Sequence, residues 1–430
     1  MTAQSGWGPT VVALVGLVGA LAVAVLRPPR VREAVVAVPF ALALLAVGGV
    51  SWPAARHEVA GLLPVVGFLV AVLVLARVCA AEGLFEAVGD LARRRSRGDP
   101  QRLLLLVVAV AALTTAILSL DTTVVLLTPV VVAIVRRSRV GAGPYLLVTV
   151  HLANSASLLL PVSNLTNLLA MRQGGLDFVS FAARMALPWL AALAIEYAAV
   201  RIGYRRVFAA ARSDVAGAPV DSDGASDAPP VPVPRFALTV VLATLAGFAV
   251  TGPLGVQPVW VATAGAVVLT VPALRRHRVD ARAVASAAGV DFAIFVLAIG
   301  VLVLGLAVGP LGRALASVLP TEPGWLDLLA LAAIAAVVSN LVNNLPATLL
   351  LLGLLPAGAG VLPVLAVLVG VNVGPNLAYP GSLATLLWRR ALPADLRPSL
   401  REFTLLGVVT VPLVLVAAVT GLWLSGVIAP

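Results

Sequence analysis

The chain has almost no cysteine and very little charge. Cys79 is the sole cysteine in 430 residues, so no disulfide framework and no thiolate metal site can form within one chain. Only 11% of residues are charged, against 61% hydrophobic, and mean hydropathy is +1.07. A soluble domain carries about 25% charged residues, and a surface this apolar excludes water as the surrounding solvent. The phosphate-binding loop of nucleotide hydrolases, the dinucleotide fingerprint and the zinc-protease helix motif are also missing. We therefore expect no cofactor, no resident metal and no ATP hydrolysis on this chain; energy for uphill work must come from an ion gradient or a separate subunit. No paired catalytic carboxylates and no nucleophile–base pair fall within the apolar runs, which argues against an intramembrane enzyme.

What is present is a series of apolar runs long enough to cross a bilayer, such as 11–26, 60–76 and 403–425. They do not alternate polar with apolar residues, so helices are expected and not a barrel. Spans are read at 10–26, 33–50, 59–79, 143–170, 181–200, 236–251, 258–274, 290–309, 361–388 and 403–425. The first lacks a preceding basic region and a small-residue cleavage site, and is read as a retained helix. Net charge is +10, but the basic residues cluster between runs, as at Arg93–Arg95, Arg136–Arg137, Arg205–Arg206, Arg275–Arg276 and Arg389–Arg390. That pattern marks cytoplasmic loops of a multi-pass plasma-membrane protein in contact with lipid, and not nucleic-acid binding. Both termini are then expected outside. Residues 209–234, rich in Asp, Ala, Ser and Pro, read as a flexible cytoplasmic linker.

Two apolar segments behave differently. Segment 103–135 has a basic cluster at each end, so it enters and leaves on one side, either as two crossings with a very tight turn or as a re-entrant hairpin. Its polar tip is Ser119-Leu120-Asp121-Thr122-Thr123. Segment 326–356 carries the tip Ser339-Asn340-Leu341-Val342-Asn343-Asn344-Leu345-Pro346, and its flanks hold no Lys or Arg, so it is reached from the opposite side. The expected fold is an all-α polytopic membrane protein of two inverted repeats, 1–208 and 235–430. Each has five transmembrane helices, one re-entrant hairpin (about 103–135 and 326–356) and one broken helix (about 143–170 and 361–388). The arrangement is one that secondary transporters use.

The span after each hairpin is interrupted by polar residues, Pro and Gly. Aligning Asn154 with Asn372 sets Asn164 on Ser382 and Asn167 on Thr385. Pro removes a backbone donor and breaks the helix. Backbone so exposed is tolerated at membrane depth only where it is buried in protein or lines a cavity. A lone Asn in a span commonly serves packing; four polar clusters in equivalent places favour one shared binding site. Asp121 is the strongest single residue, because a carboxylate inside a membrane is expensive and usually functional; it is the candidate carrier of a coupling proton, the alternative being a turn-fixing acceptor. His151 reads as packing before proton relay. Glu196 is expected to pair with a neighbour such as Arg201. Asp291 should be interfacial, Arg77 should snorkel to the cytoplasmic surface, and Glu82 and Glu86 should share a short surface helix over 80–92.

These residues resemble the arsenite permeases, or arsenical pump membrane proteins, of the ion transporter superfamily. The resemblance is carried by Leu120-Asp121-Thr122-Thr123 through Thr128-Pro129, by Ala153-Asn154-Ser155-Ala156-Ser157, and by Val162-Ser163-Asn164-Leu165-Thr166-Asn167. In the second half it is carried by Asn343-Asn344-Leu345-Pro346, Gly374-Pro375-Asn376 and Gly381-Ser382-Leu383-Ala384-Thr385-Leu386-Leu387-Trp388. It implies export of arsenite and antimonite by ion-coupled antiport, with protons as the expected counter-ion and, in some members, a partner cytoplasmic ATPase. It implies cargo binding by Asn154, Ser155, Asn164, Asn167, Asn343, Asn344, Asn376, Ser382 and Thr385, and proton coupling at Asp121, Thr122 and Thr123. One departure is Leu120, where the family often has Asn. As(OH)3, a small neutral array of hydroxyls, suits amides and hydroxyls without a fixed countercharge. A sodium/proton antiporter or a dicarboxylate- or citrate-like anion carrier of the same superfamily is the alternative, and a non-transport membrane protein the remote one.

Overall fold

The computed structural model describes residues 6–26, 32–138, 140–217, 229–252, 254–320, 322–356 and 358–428. Among these every regular element is helical. In the first half they are α1 (Trp7–Leu26), α2 (Glu33–Ala46), α3 (Trp52–Ala81), α4 (Leu84–Ser96), α5 (Pro100–Leu118), α6 (Leu120–Thr122), α7 (Thr128–Ser138), α8 (Gly143–Ser155), α9 (Leu165–Gln173), α10 (Phe178–Gly203) and α11 (Arg205–Gly217). In the second they are α12 (Arg235–Thr251), α13 (Pro258–Arg275), α14 (Ala281–Ala287), α15 (Val290–Val308), α16 (Pro310–Ala316), α17 (Trp325–Val342), α18 (Asn344–Leu354), α19 (Val361–Val373), α20 (Leu383–Ala391) and α21 (Leu400–Ile428).

Eight helical stretches among the described residues are long and apolar enough to cross a membrane. Their outward faces carry large apolar side chains such as Leu63, Val268 and Leu413, each more than half exposed. Such faces are stable only against lipid. The chain is thus a polytopic all-α membrane protein. Not every expected span reaches full length. The run 33–50 is helical only over the 14 residues of α2, which rise about 21 Å, because the chain turns at Val47–Val50.

The packing partners of the two halves correspond. α1 packs on α2 and α12 on α13; α2 packs on α15 and α13 on α3; α5 lies along α8 and α17 along α19; α8 meets α10 and α19 meets α21. α3 contacts α15, and α10 contacts α21. The α17–α19 contact is close because Gly370 and Gly374 face α17: a Cβ on Gly370 would come within 2.2 Å of the Ala332 carbonyl oxygen. Small residues four apart bring helix backbones together where lipid supplies no hydrophobic drive.

Each half also contains a helical hairpin. In the first, α5 ends at Ser119 (φ 130°, ψ 164°), and Leu120–Thr122, a π-helical turn Thr123–Leu127 and α7 run on as the returning arm. In the second, α17 ends at Asn343 (φ 75°, ψ 156°) and α18 returns. Both breaks place a non-glycine residue at positive φ, a costly backbone that persists when its surroundings enforce it. Ser119 is held by its hydroxyl, which accepts from the Thr122 amide, while Asn343 donates to the Pro380 carbonyl. Both break residues are buried, at 3% and 4% exposure.

Two local expectations are corrected. Glu82 and Glu86 do not share a helix: Glu82 ends α3, Gly83 turns at φ 85°, and α4 begins at Leu84. The segment from 209 is not yet linker, since α11 continues to Gly217; 218–228, with Asp221, Asp223 and Asp227, lies outside the described residues, and 229–234 is non-helical before α12. Arg77 is exposed, as a side chain reaching for the surface would be, and also lines a cavity described below. Asp291 is exposed and paired with Arg32, as an interfacial residue would be.

Asp99 caps α5, accepting from the amides of Gln101 (2.8 Å) and Arg102 (3.4 Å), and pairs with Arg212. Partial burial opposes its charge, but these donors outweigh it and hold the carboxyl below the usual carboxylate range. A lowered folded pKa adds stability above the unfolded value of about 3.9, and that stability is lost as pH falls through the folded value. Asp99→Ala should cost about 1 kcal/mol at pH 7 through loss of the cap, with the deficit narrowing below pH ~4, as read by thermal midpoints in detergent. Gly370→Ala should cost about 1–3 kcal/mol by overpacking against backbone; an unchanged midpoint would mean that the α17–α19 contact is looser than described.

Candidate functional site

The two interrupted spans have the same construction. α8 passes into 3-10 turns at Ala156–Leu158 and Pro161–Ser163, and Asn164 then caps α9 through the Thr166 amide. α19 passes into 3-10 turns at Gly374–Asn376 and Tyr379–Gly381, and Ser382 then caps α20 through the Ala384 amide. Corresponding elements begin at 143 and 361 and at 165 and 383, a shift of 218 in both cases. Leu160 and Ala378 are both extended before the second turn. The Pro and Asn residues of each stretch, joined by Gly374 and Gly381 in the second, thus break the helix and restart it within a few residues.

The breaks face one another across a network of buried amides. Asn154 Nδ2 donates to Asn376 Oδ1 at 2.9 Å and to Thr385 Oγ1 at 3.2 Å. Asn372 Nδ2 donates to Asn167 Oδ1 at 2.8 Å, and Asn372 Oδ1 accepts from Asn164 Nδ2 at 3.1 Å and Thr166 Oγ1 at 2.8 Å. With Asn154 set on Asn372 and Asn167 on Thr385, the 154–385 and 372–167 contacts are the same contact made twice. Asn167 Nδ2 also satisfies the Ser157 and Leu160 carbonyls at 2.6 and 2.8 Å. Asn340 Nδ2 donates to the carbonyls of Ala336 and Gly374, both at 2.8 Å. Side-chain amides so take the place of helix bonds that the breaks removed.

In front of this network lies a small cavity of about 40 Å³, room for roughly two or three waters. It is lined by Leu120 and Asp121 from one hairpin, Asn343, Asn344 and Pro346 from the other, Asn164 and Ser382 from the two caps, and Phe292 and Phe295. The N-termini of α9, α18 and α20 therefore meet at one chamber, bringing partial positive charge, and Asp121 supplies the only formal charge in its lining. A second cavity of about 290 Å³ lies between α3, α14 and the returning arm of the first hairpin, lined by Arg77, Asp121, Thr122, Ala283 and Ser286 among others. Asp121 borders both cavities.

Among the expected cargo residues, Asn164, Asn343, Asn344 and Ser382 line the chamber, whereas Asn154, Ser155, Asn167, Asn376 and Thr385 form the network behind it. Among the expected coupling residues, Asp121 lines the chamber, Thr122 faces the larger cavity, and Thr123 is buried in its hairpin, 2.7 Å from Thr115 Oγ1. Sequence reasoning passed over Asn372, although it matches Asn154 in the aligned stretch, and Asn340, whose place only packing reveals. It also misplaced Glu196. The fully buried Glu196 pairs not with Arg201 but with His151, Nδ1 to Oε2 3.3 Å, because Arg201 lies more than a helical turn further along α10 and is exposed.

An all-helical membrane protein with hairpin breaks, helix caps and amides enclosing one polar chamber is built as a solute transporter. The chain belongs to the family described as "Citrate transporter" (CitMHS), which matches residues 3–374. It is also similar to the "Arsenical pump membrane protein" of Escherichia coli strain K12, 28% identical over 342 residues that cover 75% of this chain and 77% of that protein. The proteins of that name from Shigella flexneri and Yersinia enterocolitica are likewise 28% identical, over 342 and 336 residues. The resemblance drawn from the motifs therefore rests on most of both chains.

Asn372→Ala removes the acceptor of Asn164 Nδ2 and one partner each of Thr166 Oγ1 and Asn167 Oδ1. It should destabilise the protein by about 2–3 kcal/mol, the cost of one or two buried polar groups left unsatisfied. Thermal midpoints in detergent measure this; a wild-type midpoint would show that water replaces the lost amide.

Proposed function

We propose that this chain is a secondary transporter that exports trivalent arsenite, and antimonite of the same shape, from the cytoplasm in exchange for protons. The observation that carries this reading is the chamber: small, walled by amides, a hydroxyl and one carboxylate, and without Arg or Lys. As(OH)3 needs donors and acceptors but no fixed countercharge. Asn164, Asn343, Asn344 and Ser382 bind the cargo; Asn154, Ser155, Asn167, Asn376 and Thr385 hold the two broken spans so that those caps stay in place. Asp121 exchanges the coupling proton, with Thr122 beside it and Thr123 bracing its hairpin. The cavity beside Arg77 is the cytoplasmic vestibule. It adjoins α14, which follows the basic cluster Arg275, Arg276 and Arg278.

The arrangement is read as two inverted repeats whose hairpins enter from opposite sides. The corresponding packing pairs, the 218-residue recurrence and the twice-made amide contact support it. Arms α5 and α17 are long enough to cross by themselves; burial of Ser119 and Asn343 favours tips that end inside the protein. In this orientation both termini are outside and the linker is cytoplasmic. A partner ATPase would dock on that cytoplasmic face.

A second reading, a carrier of small organic anions, is favoured by the three helix N-termini and by Arg77 beside the entrance, since both attract anions. Everted vesicles with an imposed pH gradient, with and without sodium, separate the two. The first reading expects sodium-independent arsenite accumulation; sodium-dependent citrate movement without arsenite transport would replace it by the second. Asp121→Asn should reduce gradient-driven arsenite accumulation at least tenfold while the thermal midpoint shows a folded protein. Undiminished accumulation would remove Asp121 from proton coupling.

A further inference from the structure

Behind the chamber two ionisable side chains, His151 on α8 and Glu196 on α10, are both wholly buried. Burying such a pair costs several kcal/mol per ion, and apolar residues of like volume would stabilise the protein as well or better. An ionisable pair inside a span therefore calls for a function. Its geometry is half-committed. Glu196 Oε1 accepts from Asn376 Nδ2 and Ser155 Oγ, both at 3.2 Å. Oε2 sits 3.3 Å from His151 Nδ1 but out of line for a hydrogen bond, and neither ring nitrogen has one. The ring instead lies 5.0 Å from Phe403.

We propose that the His151–Glu196 pair is a second proton-binding site, whose protonation sets the grip of Glu196 on Asn376 and thereby the contact between the two broken spans. This rests on the proton-coupled reading above. With the carboxylate ionised, both donors to Oε1 make charge-assisted bonds. A proton taken from water onto Oε2 weakens that acceptor and gives the acid a donor toward Nδ1. The same proton returns to water when the pair is unloaded, so nothing else is consumed. Asn376 carries the change forward, because its Oδ1 accepts from Asn154 and its Nδ2 also reaches Ser155 Oγ and the His151 carbonyl. Glu196 and His151 do not line the chamber; they act on it through Asn376 as positioning residues.

The charges on surrounding elements lie elsewhere. Arg102 of α5, Arg136 and Arg137 of α7, Arg201 of α10, Arg390 of α20, and Arg401 and Glu402 of α21 are exposed. Asp121 faces the cavities, and Arg184 is partly exposed on α10. Arg389 reaches Tyr379 Oη and the Pro398 carbonyl. Tyr145 bonds the Pro100 carbonyl, and Tyr197 lies under Arg201.

Glu196→Gln keeps an acceptor oxygen but cannot take up the proton. In everted vesicles it should lower pH-driven arsenite accumulation at least tenfold and flatten its pH profile, while arsenite exchange at equal pH falls far less. Wild-type accumulation with a wild-type pH profile would overturn the proposal. The second measurement leaves both residues in place. The chain has three histidines, and His57 and His277 are exposed, so His57→Gln/His277→Gln protein labelled with 15N-histidine reports His151 alone. Its ring signal should change with pH, and that change should respond to added arsenite. A signal flat in pH would overturn the proposal even if Glu196→Gln failed to fold. Wild-type vesicles that move no arsenite would instead reject the transport reading, leaving the ring signal to judge the pair.

Discussion

Backbone polar groups inside a bilayer must find partners within the protein, and everything at the centre of this molecule follows from meeting that demand where helices are broken. The 3-10 turns after α8 and α19 release carbonyls at Ser157, Leu160 and Gly374, and these are taken up by Asn167 and Asn340. An amide side chain donates and accepts at once, so one Asn can satisfy a loose carbonyl and still bind the opposite half. That accounts for a centre built largely from Asn.

The same demand links stability to function. Asn372, Asn376 and Asn154 tie the two broken spans together, and the caps Asn164 and Ser382 stand at the chamber only because those ties hold their helices in register. Close approach depends on small residues as well: Gly407 lets α21 lie against the Asn376 carbonyl, where a Cβ would meet the oxygen at 1.9 Å. The chamber is thus tightened from behind by packing and from in front by two hairpin breaks.

Much of this was legible in the chain. The hydropathy runs located nearly all the long helices, and Pro and Asn within apolar runs marked both breaks. Motif order carried the resemblance to arsenical pump proteins. The misses share a cause. Glu196 was assigned a neighbour from sequence distance, but it faces α8 and finds His151, 45 positions earlier. Glu82 and Glu86 were joined by helical spacing, but the left-handed Gly83 stands between them.

Residue chemistry in order along the chain determined that this is a helical membrane protein, where its helices break and which polar groups the breaks contain, because hydropathy and backbone chemistry act locally. Tertiary structure alone decided which amides meet, that Asp121 lies between a small chamber and a wider one, and that Glu196 and His151 bury each other. Those outcomes depend on how helices from 45 to more than 200 residues apart in sequence pack, and no local pattern encodes that distance.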